Sequence, residues 1–174
     1  MTRVFIIISS SEYDDSERLP LLAGVLVDGD DVERALSDPS LGGYDVTISR
    51  HLVSPTLAEV RDTIEEVLFT VSAIESFTFY FAGHGISHHG TYYLCLKDTL
   101  VEKLSTSALP INHILNVIND KQPIQSTIII DACEAGGGSK DLGSLIKPLF
   151  FVNANSPRVR TSGACMRDET AGEE

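Results

Sequence analysis

The sequence predicts an α/β fold with a mostly parallel central sheet covered by helices. Three observations lead there. Val4–Ile8, Phe77–Phe81 and Thr127–Ile130 are runs of apolar, aromatic and β-branched residues with no charged break, the pattern of strands buried on both faces. Stretches with apolar residues at helical spacing lie between them, as crossovers joining parallel strands require. The second and third runs lead into segments that carry His84 and Cys133 among small residues, and open α/β sheets place their sites at the C-terminal ends of strands.

Composition narrows the class. The chain has 174 residues, 43% of them hydrophobic and 22% charged, enough for one domain over 1–174 with its own core. The formal net charge is −12, and no basic patch stands out, which argues against nucleic acid as a direct partner. The acidity reads first as solubility; a basic peptide substrate is the other reading. Cys95, Cys133 and Cys165 are an odd number with no framework spacing, pointing to reduced thiols and a cytoplasmic location. The opening MTRVFIIISS is too short for a signal-peptide core or a membrane span, so no membrane partner is expected.

Taken in order, Val4–Ile8 is the first strand and Ser9–Leu22, polar with one proline, reads as a surface loop. Gly24–Leu36 is a helix whose Val25, Val32, Ala35 and Leu36 share a face. Asp38–Gly43 is a turn, and the alternation of Asp45–Ser49 predicts a short strand. A second helix starts at Ser54-Pro55-Thr56, where Thr56 and Glu59 have capping-box spacing. Its core stripe is Leu57, Val60, Ile64, Val67, Leu68 and Val71. After the Phe77 strand, Ile86–Gly90 reads as a mobile loop. Its His88–His89 pair lacks further ligands at metal-site spacing, so no metal is expected. Thr91–Leu96 is a strand containing a structural Cys95, Leu104–Leu109 a connector, and Pro110–Ile118 a short helix burying Ile111, Ile114, Leu115 and Ile118.

The chemistry concentrates in two stretches. Cys133 follows a buried strand in STIIIDACEAGGG. Alone it reads more readily as a buried structural thiol than as a nucleophile. His84, between two glycines in FTFYFAGHG, is poorly explained by packing, because glycines allow sharp turns and close approach of a substrate. Together they suit nucleophilic catalysis. The imidazole takes the thiol proton and later protonates a leaving amine, with backbone N–H groups at Gly85 and Cys133 as the oxyanion hole. No third carboxylate is evident. A phosphate cradle at Glu134–Ser139 is disfavoured, because the Gly-Lys-Ser/Thr ending is missing and Glu134 would repel phosphate.

YFAGHG, followed about 49 residues later by IIIDACEAGG, resembles the caspase and metacaspase superfamily of cysteine peptidases, in which the histidine lies about 50 residues upstream of the cysteine. The local sequence Asp131-Ala132-Cys133-Glu134-Ala135-Gly136 departs from the Gln-Ala-Cys-x-Gly of animal caspases and is more similar to the metacaspase and bacterial caspase-like branch. The resemblance implies a three-layer α/β/α sandwich and endopeptidase chemistry through a Cys133–His84 dyad and an acyl-enzyme. It also implies a place in signalling, cell death or defence.

The resemblance carries further residues with it. Gly24 and Asp28 keep the spacing of a metacaspase Gly-Cys-x-Asn-Asp pattern whose last aspartate lines the pocket for a basic P1 side chain; Val25 and Val27 replace the cysteine and asparagine. Asp131 stands where animal caspases have a pocket glutamine. A carboxylate there repels an acidic P1 residue and pairs with Arg or Lys. Ala82, two before His84, replaces a polar pocket residue. Residues 139–158 match a linker that the family often cuts, making Lys140, Lys147, Arg158 and Arg160 candidate autoprocessing sites. SGACMRDETAGEE, with Cys165, Asp168 and Thr170, resembles in part the core strand that opens the small subunit. The family continues beyond it. The chain is therefore expected to be the large-subunit region, completed by a C-terminal remainder or partner chain. Many metacaspases need calcium, but no acidic cluster demands it, and the expected cofactor is none. The alternative to an enzyme is a catalytically inactive or activator-dependent caspase-like scaffold. Its expected partners would be proteins, as the peptidase's would be protein or peptide substrates.

Overall fold

The apolar runs form the centre of the sheet. The computed structural model describes residues 1–134 and 158–164, with 133, 134 and 158–164 described through their backbone. Strand β1 (Thr2–Ser9) is followed by α1 (Gly24–Ser37), β2 (Arg50–Val53), α2 (Leu57–Thr70), β3 (Ile74–His88) and β4 (Thr91–Leu94). A 3-10 turn (Val101–Lys103) then leads to α3 (Leu104–Ser107), β5 (Leu109–Pro110), α4 (Ile111–Lys121), β6 (Gln125–Glu134) and β7 (Arg158–Ala164). Strands β2, β1, β3, β6 and β7 lie side by side in that order, all parallel.

The central strand is β3, which outruns β1 at its C-terminal end. Past Ala82 it continues to His88 and pairs antiparallel with β4. Gly85 meets Leu94 on one edge and Glu134 of β6 on the other, so β4 occupies the edge that β1 has left. Alternation along the strands sends side chains to two faces. Val25, Val32 and Leu36 of α1 pack on Phe5, Ile7, Tyr80 and Ala82. The stripes of α2 and α4 pack on Val4, Ile6, Ile8, Phe79, Ile128 and Ile130 on the opposite face. This is the expected helix–sheet–helix layering with a mostly parallel sheet. Among the described residues no helix is long and apolar enough to cross a membrane.

Helix α2 starts where the sequence places it. Thr56 Oγ1 accepts the Glu59 N–H at 3.3 Å, and the Glu59 carboxylate accepts the Thr56 N–H at 2.7 Å. The Thr56 N–H and then the Thr56 hydroxyl, both donating to the Glu59 carboxylate, hold it below its ordinary range. Asp98 Oδ1 accepts the Leu57 N–H at 2.9 Å, satisfying another of the helix's orphan donors.

Six local expectations are corrected. Asp45–Ser49 is a turn, because the Asp45 carboxylate accepts from Thr47 N–H and Oγ1 and competes with strand pairing; β2 begins at Arg50. Ile86–Gly90 is not a loop. Strand β3 runs on to His88 and a tight hairpin turns at His89-Gly90, with φ of 48° and 77°, the left-handed pair that two-residue hairpins use. The strand predicted to Leu96 stops at Leu94, and the helix predicted over Pro110–Ile118 runs from Ile111 to Lys121 with Pro110 as N-cap. Ala35 is exposed, and Gly29 is the buried residue of α1. Finally, the segment after β1 is not a surface loop: Ser10, Ser11, Tyr13 and Leu19 are buried.

Replacing Thr56 by Ala is expected to lower stability by about 1 kcal/mol. Urea unfolding should show it as a lower midpoint at unchanged slope, with Thr56→Ser close to the parent.

Candidate active site

Strand pairing alone brings the two motif residues together. In the parallel β3–β6 ladder His84 is the register partner of Cys133, and Ala82 that of Asp131. Neighbouring strands lie about 4.8 Å apart, so residues 49 positions apart in sequence become backbone neighbours at the C-terminal end of the sheet.

His84 is 5% exposed and is held from four sides. Its N–H donates to the Tyr13 hydroxyl at 3.0 Å, and that hydroxyl donates to Ser10 O at 2.6 Å. Its carbonyl accepts the Cys95 N–H at 2.9 Å. The Tyr13 ring lies 5.1 Å from the imidazole, centroid to centroid. The imidazole Nε2 sits 2.8 Å from Pro20 O. A carbonyl oxygen only accepts, so Nε2 carries the proton there. Nδ1 is then the basic nitrogen in the neutral ring. Nδ1 is buried and has no hydrogen-bond partner among the described residues. The orienting group is thus a backbone carbonyl, and the segment carrying it is pinned in turn. Ser10 N–H donates to Ala82 O, Asp14 N–H to Lys97 O and Leu22 N–H to Ser11 O, while Ser54 Oγ accepts from Ser11 and Glu12 N–H.

The glycines around His84 serve packing rather than turning. Neither Gly83 nor Gly85 has a positive φ, and the strand runs straight through both. A Cβ on Gly85 would run into the Tyr92 hydroxyl, and one on Gly83 would lie 2.9 Å from the Tyr13 hydroxyl. Cys95 is buried, and burial pushes its thiol up to about 12, so it stays protonated and its backbone does the supporting.

Asp28, Asp131 and Tyr80 share one electrostatic neighbourhood. The Asp131 carboxyl is pushed above its ordinary range by burial and then by the charge of Asp28. The Tyr80 hydroxyl is pushed up to about 12 by burial, then by Asp131, then by Asp28. The fold therefore brings together the two carboxylates singled out in sequence, Asp131 half-buried and Asp28 exposed on α1. Tyr80 precedes Ala82 by two on β3 and adds a phenol to the same surroundings.

Other residues fall elsewhere. Lys140 and Lys147 lie outside the described residues, as do Cys165, Asp168 and Thr170 and most of 139–158. Arg158 opens β7 and Arg160 lies within it. His88 and His89 stack edge to face at the hairpin tip, 4.0 Å apart. Pro20 and Tyr13 were not legible as site residues. A carbonyl leaves no mark in sequence, and the polar run Ser9–Leu22 hid a tyrosine that turns inward.

The sequence matches the model of the caspase domain family over residues 2–171, a family of cysteine peptidases. No curated protein matches in sequence. Among solved structures, the chain is similar to the Drosophila initiator caspase Dronc, with 13% identity and a TM-score of 0.55. The match covers 80% of this chain and 51% of that one, so the chain spans about half the length of the caspase it resembles.

Tyr13→Phe removes the acceptor for a buried N–H. It should destabilise the domain by about 1–3 kcal/mol, measurable by chemical unfolding.

Proposed function

Because the chain belongs to the caspase domain family, we propose that it is a cysteine endopeptidase with Cys133 as nucleophile and His84 as its base and acid. The observation that carries this is the register pairing of His84 with Cys133, joined to a buried Nδ1 that Pro20 leaves basic. In this reading Nδ1 takes the thiol proton, and the imidazolium is held by the Pro20 carbonyl. The thiolate sulfur adds to the scissile carbonyl carbon, and the developing oxyanion is met by the Gly85 and Cys133 backbone N–H groups. Collapse breaks the C–N bond as the imidazolium gives its proton to the leaving amine. Water then enters, loses a proton to Nδ1, and the thioester is cleaved to acid and thiol.

We further propose a basic P1 residue. Two neighbouring carboxylates favour Arg or Lys and repel Asp; the Asp131 carboxyl is raised by burial first and by the charge of Asp28 second. A guanidinium would relieve the second. The substrates are then protein segments with an exposed Arg or Lys, and a role in signalling, death or defence is part of the same reading.

Peptides matched except at P1 test it. Cleavage after Arg or Lys is expected, lost to background in Cys133→Ala and His84→Ala. Asp131→Asn should lower kcat/KM for the Arg peptide at least about tenfold, roughly 1.4 kcal/mol, with little effect on P1 Ala. Cleavage after Asp would keep the peptidase and overturn the pocket.

The pH dependence has a definite sign. A basic P1 pairs with ionised Asp131, whose pKa in the free enzyme is raised. As pH falls through that raised value the carboxylate protonates and KM for the Arg peptide rises, whereas KM for the Ala peptide stays level. For folding the sign is opposite to that of a salt-bridged carboxylate. The destabilising contribution of Asp131 is fully present above its folded pKa and is relieved as pH falls.

A further inference from the structure

A second cluster lies at the end of β1, apart from the residues so far assigned. His51 of β2 has a side chain only 8% exposed. Its Nε2 is 2.9 Å from Ser9 Oγ, and Ser9 is fully buried. Its Nδ1 is 2.8 Å from Glu33 Oε2 and 3.8 Å from Asp30 Oδ1, both on α1. Asp30 and Glu33 are three apart and share a helix face. One ligand atom from each of Asp30, Glu33 and His51 lies within 4.8 Å of the others. The helix comes this close because Gly29 has no side chain: a Cβ there would run into Ser9 Oγ and lie 2.8 Å from His51 Nε2.

We propose that Asp30, Glu33 and His51 form a binding site for a divalent ion of the zinc class, with Ser9 orienting the imidazole. Without an ion, Nδ1–H donates to the Glu33 carboxylate and Ser9 Oγ–H donates to Nε2. A divalent ion takes the place of that Nδ1 proton: the ring proton sits on Nε2 and is donated to Ser9 Oγ, and Nδ1 turns its lone pair to an ion shared with the two carboxylates. Zinc bonds to nitrogen and oxygen are about 2.0–2.2 Å, so two ligands of one ion stand roughly 3.3 Å apart, within the 2.8–3.8 Å spread of His51 Nδ1 to its two carboxylates. One imidazole and two carboxylates suit zinc and its neighbours, whereas calcium and magnesium take six or more oxygens. The hydroxyl behind the ring is the outer partner that such histidines have. The ligands come from α1 and β2, so the ion ties the helix to the edge of the sheet. Asp30 is well exposed, at 67%, and three protein ligands leave a coordination position open, so the ion exchanges with solvent and can act as a signal.

The test uses the full chain with Cys133→Ala, titrated with zinc by calorimetry and with cobalt(II) by visible absorption. The expected result is one ion bound, a raised melting temperature, and a cobalt spectrum without a thiolate charge-transfer band. Asp30→Asn and Glu33→Gln should each weaken zinc at least about tenfold, and Ser9→Ala by roughly ten- to a hundredfold. A His88→Gln/His89→Gln double variant should bind like its parent. Asp30 is exposed, so its variant is expected to fold, which unfolding without metal verifies. The proposal is overturned by absence of binding, by affinity indifferent to Asp30→Asn and Glu33→Gln, by loss of binding in the double histidine variant, or by a thiolate band.

Discussion

The parallel register between β3 and β6 is the constraint on which the site depends. It sets His84 beside Cys133 and Ala82 beside Asp131, and a slip of one residue would exchange the faces of every side chain on β6. Hydrophobicity alone does not prevent the slip, because Ile128 and Ile130 pack on the α2–α4 face while Ile129 packs on the α1 face. The strand's polar end does. Asp131 sits half-buried level with Ser9, the last residue of β1. Sliding β6 one way would draw this carboxylate into the core, at a cost of several kcal/mol for an unpaired charge. Sliding it the other way would pull Ile130, 2% exposed, out of it. The residue proposed to sense a substrate's charge thus also pins the frame that sets His84 beside Cys133.

Much of this was legible in the sequence, and the reasons for the exceptions are physical. Uninterrupted β-forming runs and the Thr56–Glu59 cap report local preferences, so the strands and α2 lie where the sequence places them. Asp45–Ser49 failed because alternation is a pattern of side chains. Asp45 acts on its own backbone, and a turn satisfied that backbone first. The glycines of the His84 segment were legible as a constraint but not as its cause. Only the fold shows that Tyr13 and Tyr92 fill the space beside them. The Ser9–His51–Glu33 chain was out of reach for another reason. Its members come from three elements, each unremarkable alone, and the sequence draws the eye instead to adjacent His88 and His89, which end on a hairpin tip.

Helix α1 organises charge on one side of the sheet. Asp28 reaches towards Asp131 and Tyr80, while Asp30 and Glu33 reach towards His51. Gly29, between Asp28 and Asp30, is where the helix settles on the strands. Two acidic groupings with different neighbours therefore hang from one contact point, and the helix has little apolar area to fix its position otherwise: Val25, Val32 and Leu36 are only partly buried. Its seat depends on close approach more than on burial.

The acceptor that orients His84 is a main-chain oxygen. Every amino acid supplies one, so no point substitution at position 20 deletes the atom itself; only a change in the path of the Ser10–Leu22 segment moves it away from the ring. A site that recruited a carboxylate for this task would be one codon change from losing it. Here the orienting function is encoded in the route of a chain segment anchored by Tyr13, Ser54 and Lys97, and so it is buffered against genetic drift in the side chain that happens to carry it.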